Sequence, residues 1–231
     1  PIRDGVQSSR FYQILSKFQR PGEEQFTDSW DCFFNTARML YDNHMNTEEA
    51  CNTMCDIMMT RDRKMRLMVK KHFSPEDYFS VRNHMIGTGM IGGKACGMLL
   101  SRAIVRNLAW DINEVLEPHD SFFIGSDVYY TYIVDNGFWD IRVRQREETE
   151  YFSLAEEFAR RLKNGVFSEE MKNHFLHILE YYGQDPFIVR SSSILEDGFG
   201  NAFAGKYESV FCANRGSLEE RLVEFENMPV P

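Results

Sequence analysis

Long apolar runs are missing from this 231-residue sequence. No stretch approaches the ~20 apolar residues that a membrane-spanning helix needs, and the N-terminus lacks the apolar segment of a signal peptide. Basic side chains are also scarce, since 26 lysines and arginines face 35 aspartates and glutamates, giving a formal net charge of -9. Such a surface repels nucleic acids and anionic membranes, so we expect a cytoplasmic protein in which any phosphate site is local.

Cysteine and histidine form no recognisable ligand pattern. The five cysteines include no CxxC pair, and their odd number does not indicate a disulfide framework, so we predict reduced thiols. His174 and His177 are spaced to share a helix face and could ligate a metal, but an exposed or capping role is commoner for such a pair. The other histidines are scattered, so we assign no histidine and no metal site.

Apolar stripes and helix caps predict a helical region over residues 1–85. One apolar stripe ends before Pro21-Gly22, and a second follows Thr27-Asp28. A third helix is predicted to start with a capping box formed by Asn46 and Glu49, and Ser74-Pro75 opens a fourth. A cluster of methionines predicts adaptable core packing: Met54, Met58, Met59, Met65 and Met68. The basic residues between Arg61 and Lys71 predict a solvated helix face.

Glycines cluster directly before a predicted helix, in Ile86-Gly-Thr-Gly-Met-Ile-Gly-Gly-Lys94. Lys94 therefore lies at or beside a helix N-terminus, where free amides and the helix dipole favour anions. A Walker A loop is a poor interpretation, because Thr88 replaces its first glycine and Ala95 follows the lysine. The spacing GxGxxG is matched and would suit a dinucleotide, but it requires a buried strand before it, and the stretch from Asp77 to His84 is too polar for one.

A second polar stretch runs from Pro186 to Phe211 and predicts a strand, a polar loop and another strand. The first strand ends at Arg190, and the serines that follow it begin at Ser191. A guanidinium fork, hydroxyls and turn amides are the donors that phosphate oxygens need. Composition alone also permits an ordinary surface hairpin with a serine-rich turn.

Both stretches resemble the same enzyme family. Ile188-Val-Arg-Ser-Ser-Ser193 with Glu196-Asp197, followed by Ala202-Phe-Ala-Gly205, resembles the VRSS-x-x-x-ED and FAGQ-x-E signature of phosphoenolpyruvate synthases and pyruvate phosphate dikinases. Gly92-Gly93-Lys94 resembles the GGKG-x-x-L loop of the same enzymes. The chain departs from the family at Ala95-Cys96, where the residues stay small. In the family these motifs belong to the N-terminal nucleotide-binding domain, an ATP-grasp fold that rifampin phosphotransferases share.

The resemblance implies an α+β fold. A helical N-terminal region would cover residues 1–85, and residues 86–231 would form the N-terminal lobe of an ATP-grasp domain. This lobe would contain a small mixed or antiparallel sheet with flanking helices. The second lobe of the ATP-grasp domain would be absent.

The resemblance also implies a function, the transfer of phosphoryl from ATP to a histidine carried by another domain. Lys94 would grip the ATP phosphates, and Arg190 would steady the phosphoryl group in transfer, so these are the implied catalytic residues. The further implied nucleotide contacts are Gly92, Gly93, Ser191, Gly205 and Ser209.

Other parts of such an enzyme are missing from the sequence. The family places its Mg²⁺ ligands in the second lobe, and the Thr-Ser-His core of its phosphocarrier domain does not occur here. The chain begins at Pro1, so we expect a piece of a larger phosphotransferase that is inactive alone and whose partners are ATP, the second lobe and the histidine domain. The alternatives are a non-catalytic regulatory or interaction module that retains the fold, and a nicotinamide-binding protein.

Overall fold

The computed structural model describes residues 28–108, 112, 114–117, 119–147, 152–193, 197–198, 201–202 and 209–228. Contacts divide the chain into two units, Pro1–Ile124 with Ser193–Ala202, and Gly125–Ser192 with Phe203–Pro231. The described residues are mostly helical with three two-stranded sheets, which confirms the predicted α+β class. The boundary after residue 85 stays a prediction, and the apolar stripe before Pro21 lies outside the described residues.

The first unit begins with a helical region that the periodicity predicts. Its helices are α1 (Ser29–Asp42), α2 (Glu48–Met54), which continues into a π-helical turn (Cys55–Met59), α3 (Arg63–His72) and α4 (Pro75–Asn83). No helix in the described ranges is long and apolar enough to cross a membrane.

The helix starts confirm one predicted cap and correct another. The side chain of Ser74 accepts a hydrogen bond from the amide of Asp77, and the Asp77 carboxylate accepts one from the amide of Ser74, which makes a capping box. The capping box predicted at Asn46 is wrong, because Thr47 is the N-cap residue of α2. Asn46 Oδ1 instead accepts from the amide of Glu48 at 2.8 Å, a short local turn that competes with the cap.

The predicted methionine cluster lies in the core, with Met54, Met58, Met59 and Met65 buried and Met68 packed against them. Met54 and Met58 have no exposed surface, and Met59 is 2% exposed. They pack in one cluster with aromatic residues of α1 and α4, such as Phe33 and Tyr78. The basic residues of α3 are only partly on a solvated face: Lys64 and Lys71 are exposed, whereas Arg66 and Lys70 are partly buried. Arg66 forms an ion pair with Asp56 at 2.6 Å.

A strand, a crossover helix and a parallel strand follow. They are β1 (Met85–Ile86), α5 (Gly93–Leu108) and β2 (Phe123–Ile124). Met85 pairs with Phe123 and Ile86 with Ile124, and α5 supplies the crossover that a parallel pair requires. This unit also contains the antiparallel pair of β4 (Asp197–Gly198) and β5 (Asn201–Ala202), with β4 lying against α5. The glycine-rich stretch thus joins a buried strand to a helix, as phosphate-binding loops do.

In the described part of the second unit, helices pack with an antiparallel strand pair. Its elements are α6 (Ser126–Asp135), α7 (Trp139–Arg144), α8 (Ala155–Lys163), α9 (Glu169–Tyr182), β3 (Phe187–Arg190), β6 (Ser209–Cys212) and α10 (Leu218–Glu226). The predicted starts of α9 at Ser168 and of α10 at Ser217 are confirmed by their capping bonds. The helix predicted over roughly Glu147 to Lys163 is wrong at its start, because residues 152–154 form turns and α8 begins at Ala155.

The turn between α8 and α9 has no room for a side chain at Gly165. A Cβ there would lie 2.6 Å from Cζ of Tyr132 and 3.1 Å from Cγ of Asn136. Tyr132 donates to the carbonyl of Leu162 at 2.7 Å, and Asn136 exchanges two hydrogen bonds with the backbone of Val166. Neither ring nor amide can move without losing a bond. We expect Gly165→Ala to lower the free energy of unfolding by about 2 kcal/mol, measured by urea denaturation.

Gly97 is the matched control for this prediction. It lies inside α5, and an added Cβ meets nothing within 4 Å. Because glycine destabilises a helix interior, Gly97→Ala should raise the free energy of unfolding by about 0.5–1 kcal/mol. Equal shifts for the two variants would contradict the crowding described at Gly165.

Candidate functional site

The loop between β1 and α5 contains three residues with positive φ angles, and all three are glycines. Gly87, Gly89 and Gly92 have φ angles of 71°, 87° and 85°. The loop is nonetheless held in place, since the side chains of Met90 and Ile91 are 8% and 4% exposed and lie in the core. A loop that is fixed before a ligand arrives loses less conformational entropy when it binds.

A backbone bond anchors this loop to the helical region. The amide of Ile91 donates to the carbonyl of Met58 at 2.9 Å. Met58 lies in the π-helical turn that ends α2, and the last carbonyls of a helix have no partner within it. The Met58 carbonyl is therefore a free acceptor until Ile91 binds it. Sequence reasoning missed this contact, because a bond between two backbone groups requires no particular side chain.

The loop delivers Lys94 to a helix N-terminus, as predicted. Lys94 is the second residue of α5 and is partly buried. The amide of Gly93 donates to the carbonyl of Ser193 at 3.2 Å. This bond joins the glycine-rich stretch to Ser193, a residue of the same unit that is far away in the sequence.

Two buried thiols near this loop are not candidate nucleophiles. Burial raises the pKa of Cys96, two residues after Lys94, to about 12, and that of Cys55, in the π-helical turn, to about 11. Both side chains are at most 1% exposed and remain protonated at neutral pH. No disulfide joins the five cysteines, all of which lie in the described ranges.

The second unit places Arg190 beside Ser209. These two residues are Cα partners across the antiparallel pair of β3 and β6, so their side chains lie on the same face. Both side chains are exposed. Within the described ranges, the Arg190 side chain makes no hydrogen bond or ion pair. The pair presents a cationic fork and a hydroxyl that suit an anion.

A buried polar cluster holds the base of this strand pair. Asn214, with no exposed surface, donates to the carbonyls of Gly183 and Asp185 at 3.0 and 2.9 Å. Arg221, 7% exposed, donates to the carbonyls of Leu179 and Gly183 and to Asn214 Oδ1. The end of α9, just before β3, is therefore tied to the segment just after β6. Sequence reasoning missed both residues, although an asparagine with a φ of 53° is typical of such a turn.

The remaining predicted site residues are only partly described. Gly92 is buried and Ser191 is partly buried, whereas Gly205 lies outside the described residues. Lys94 and Gly93 belong to the first unit, and Arg190, Ser191 and Ser209 to the second. Among the described residues, no group of three or more histidines, cysteines, aspartates or glutamates is placed to hold a metal ion.

Comparison with known families decides what these motifs are. The family model for the pyruvate phosphate dikinase AMP/ATP-binding domain matches residues 88–227. This range is more than half of the chain and contains both the GGK motif at Gly92–Lys94 and the VRSS motif at Arg190. The chain belongs to this family. No curated protein and no solved structure matches the chain.

Membership in the dikinase family confirms the resemblance that the GGK and VRSS motifs carry. The chain contains the nucleotide-binding lobe of a dikinase-like enzyme, and AMP or ATP is its ligand. The match also favours AMP or ATP over a nicotinamide for the glycine-rich loop. The family motifs mark two candidate phosphate-binding elements in this chain: the loop with Lys94 and the strand pair with Arg190.

Proposed function

We propose that this chain is the ATP-binding lobe of a dikinase-type phosphotransferase, which moves phosphoryl from ATP to a histidine on another domain. The observation that carries the proposal is the family match, which spans the glycine-rich loop and the β3–β6 strand pair. The geometry supports it, since the loop precedes a helix N-terminus and Arg190 lies beside Ser209 on an exposed strand face. We also propose a cytoplasmic location.

Each candidate residue has a role that follows from charge and position. Lys94 binds the ATP phosphates, assisted by the dipole of α5 and the close backbone of Gly92 and Gly93. Arg190 holds the phosphoryl group during transfer. In the transition state, negative charge is delocalised over the oxygens of that group. The proposed supporting contacts come from Ser191, Gly205 and Ser209.

The described residues fit ATP better than they fit its metal ion. A guanidinium and a helix N-terminus suit phosphate, but no cluster of three or more potential metal ligands occurs among the described residues. We propose that the Mg²⁺ ligands come from a second ATP-grasp lobe of the parent protein, and that its phosphocarrier domain supplies the acceptor histidine. Mg²⁺ would neutralise part of the phosphate charge, while Lys94 and Arg190 orient the phosphates.

Calorimetry with MgATP tests the proposal. It should compare the 231-residue chain with a protein extended by the natural sequence that follows Pro231. We expect the extended protein to bind MgATP with one site, and the chain alone to bind it weakly or not at all. Incubation with ATP labelled in both its β- and γ-phosphates should then yield a labelled, acid-labile phosphohistidine.

Two results would decide against the proposal. If the extended protein does not bind MgATP, the chain is a non-catalytic interaction module that retains the fold. If the 231-residue chain alone binds MgATP tightly and turns it over, the second lobe is not needed. The proposal that the second lobe supplies the Mg²⁺ ligands is then wrong.

A further inference from the structure

One face of the β3–β6 strand pair is exposed but partly apolar. Ile188 and Phe211 are Cα partners, and Arg190 and Ser209 form the next pair on the same face. Phe211 is 81% exposed and Ile188 is 42% exposed. A strand face that meets water is usually polar, so an aromatic ring and an aliphatic side chain side by side there indicate a ligand.

We propose that these four residues, the nucleotide face, hold one mononucleotide, with its base against Phe211 and Ile188 and its phosphates on Arg190. This inference rests on the proposed function, and it adds Phe211, which neither motif contains, as a base contact. It makes Phe211 the residue that recognises the base.

The nucleotide face has an apolar end formed by Phe211 and Ile188, and a cationic end at Arg190. These ends match the base and the phosphates of a nucleotide. Pairs two residues apart along a strand are separated by about 7 Å. A base stacks on an aromatic ring, whatever its identity, and a guanidinium binds phosphate oxygens. The hydroxyl of Ser209 lies on the same face, at the Arg190 end.

The strand pair is also rigid enough to act as a platform. At its base, Asn214 makes two hydrogen bonds that tie the entry to β3 to the exit from β6. On its other face, Cys212 is buried with 1% exposure. A purely apolar partner would leave the Arg190 charge without a counterpart, whereas a nucleotide satisfies both ends.

The test compares ligands with and without a base, using the extended protein and calorimetry. Phe211→Ser should weaken MgATP binding about ten-fold and leave inorganic tripolyphosphate binding unchanged. Phe211→Leu, which keeps the apolar volume but not the ring, should weaken MgATP less. Arg190→Ala should weaken both ligands. Phe152→Ser is the matched control, because Phe152 is 84% exposed and lies outside the strand pair, and it should change neither affinity.

The outcomes separate this inference from the proposed function. If Arg190→Ala weakens MgATP while Phe211→Ser and Phe211→Leu do not, the function stands and the nucleotide face is wrong. If Phe211→Ser weakens both ligands equally, Phe211 supports the fold or contacts another lobe, and the inference again fails. If the unsubstituted extended protein binds no nucleotide, the proposed function itself fails. Thermal unfolding of each variant identifies any loss of folding.

Discussion

Arg221→Ala is expected to lower the free energy of unfolding by about 3 kcal/mol, the largest stability effect that we expect from a single polar side chain. The Arg221 side chain donates to the carbonyls of Leu179 and Gly183 and to the amide oxygen of Asn214. Alanine would leave these buried oxygens with fewer donors, and α9 would lose the cation at its C-terminal end. Urea denaturation followed by tryptophan fluorescence measures the change.

Arg215→Ala is the control for this variant. Arg215 is in the same segment but exposed, so its replacement should change the free energy of unfolding by less than about 0.5 kcal/mol. If the two alanine variants lose equal stability, the buried cluster does not stabilise the second unit. The slope of the denaturation curve should stay unchanged in both, because neither substitution alters the surface that unfolding exposes.

Arg190→Ala is expected to weaken MgATP binding by the extended protein about hundred-fold, or ~2.7 kcal/mol. A guanidinium donates two parallel hydrogen bonds to phosphate oxygens, and hydrogen bonds to charged groups are the strong ones. Arg190→Lys should recover only part of the affinity, since an ammonium group lacks the planar fork. Calorimetry measures both, with Arg215→Ala as a control for the loss of one positive charge.

Lys94→Ala should also weaken MgATP binding by the extended protein, because Lys94 lies in the other phosphate-binding element. Unchanged affinity in both Arg190→Ala and Lys94→Ala would mean that the two motifs no longer bind nucleotide. The interaction-module alternative would then explain the chain better than the phosphotransferase.

The sequence predicts the parts of the site that depend on residue type. Glycines before an apolar helix place Lys94 at the start of α5, and an apolar run ending in a cation places Arg190 at the end of β3. These signals are local, and they coincide with family motifs. The capping box at Asn46 fails for a local reason too, because a neighbouring threonine and a tight asparagine turn compete for the same helix start.

Other parts of the site depend on partners distant in sequence. The register that sets Phe211 opposite Ile188 follows from the pairing of β3 with β6, which alternation alone does not determine. The bond from Ile91 to Met58 joins backbone groups, so no side-chain pattern reports it. Asn214 and Arg221 look like ordinary polar residues until folding buries them against the end of α9.

The first unit is discontinuous, and this affects how the protein is made. Its final segment, Ser193–Ala202, follows most of the second unit in the chain. A ribosome therefore releases the helical core and the glycine-rich loop long before the residue whose carbonyl binds the Gly93 amide. Because domains generally fold as units during synthesis, the first unit can be completed only after Gly125–Ser192 of the second unit has been translated. For the same reason, no single proteolytic cut releases the two units intact.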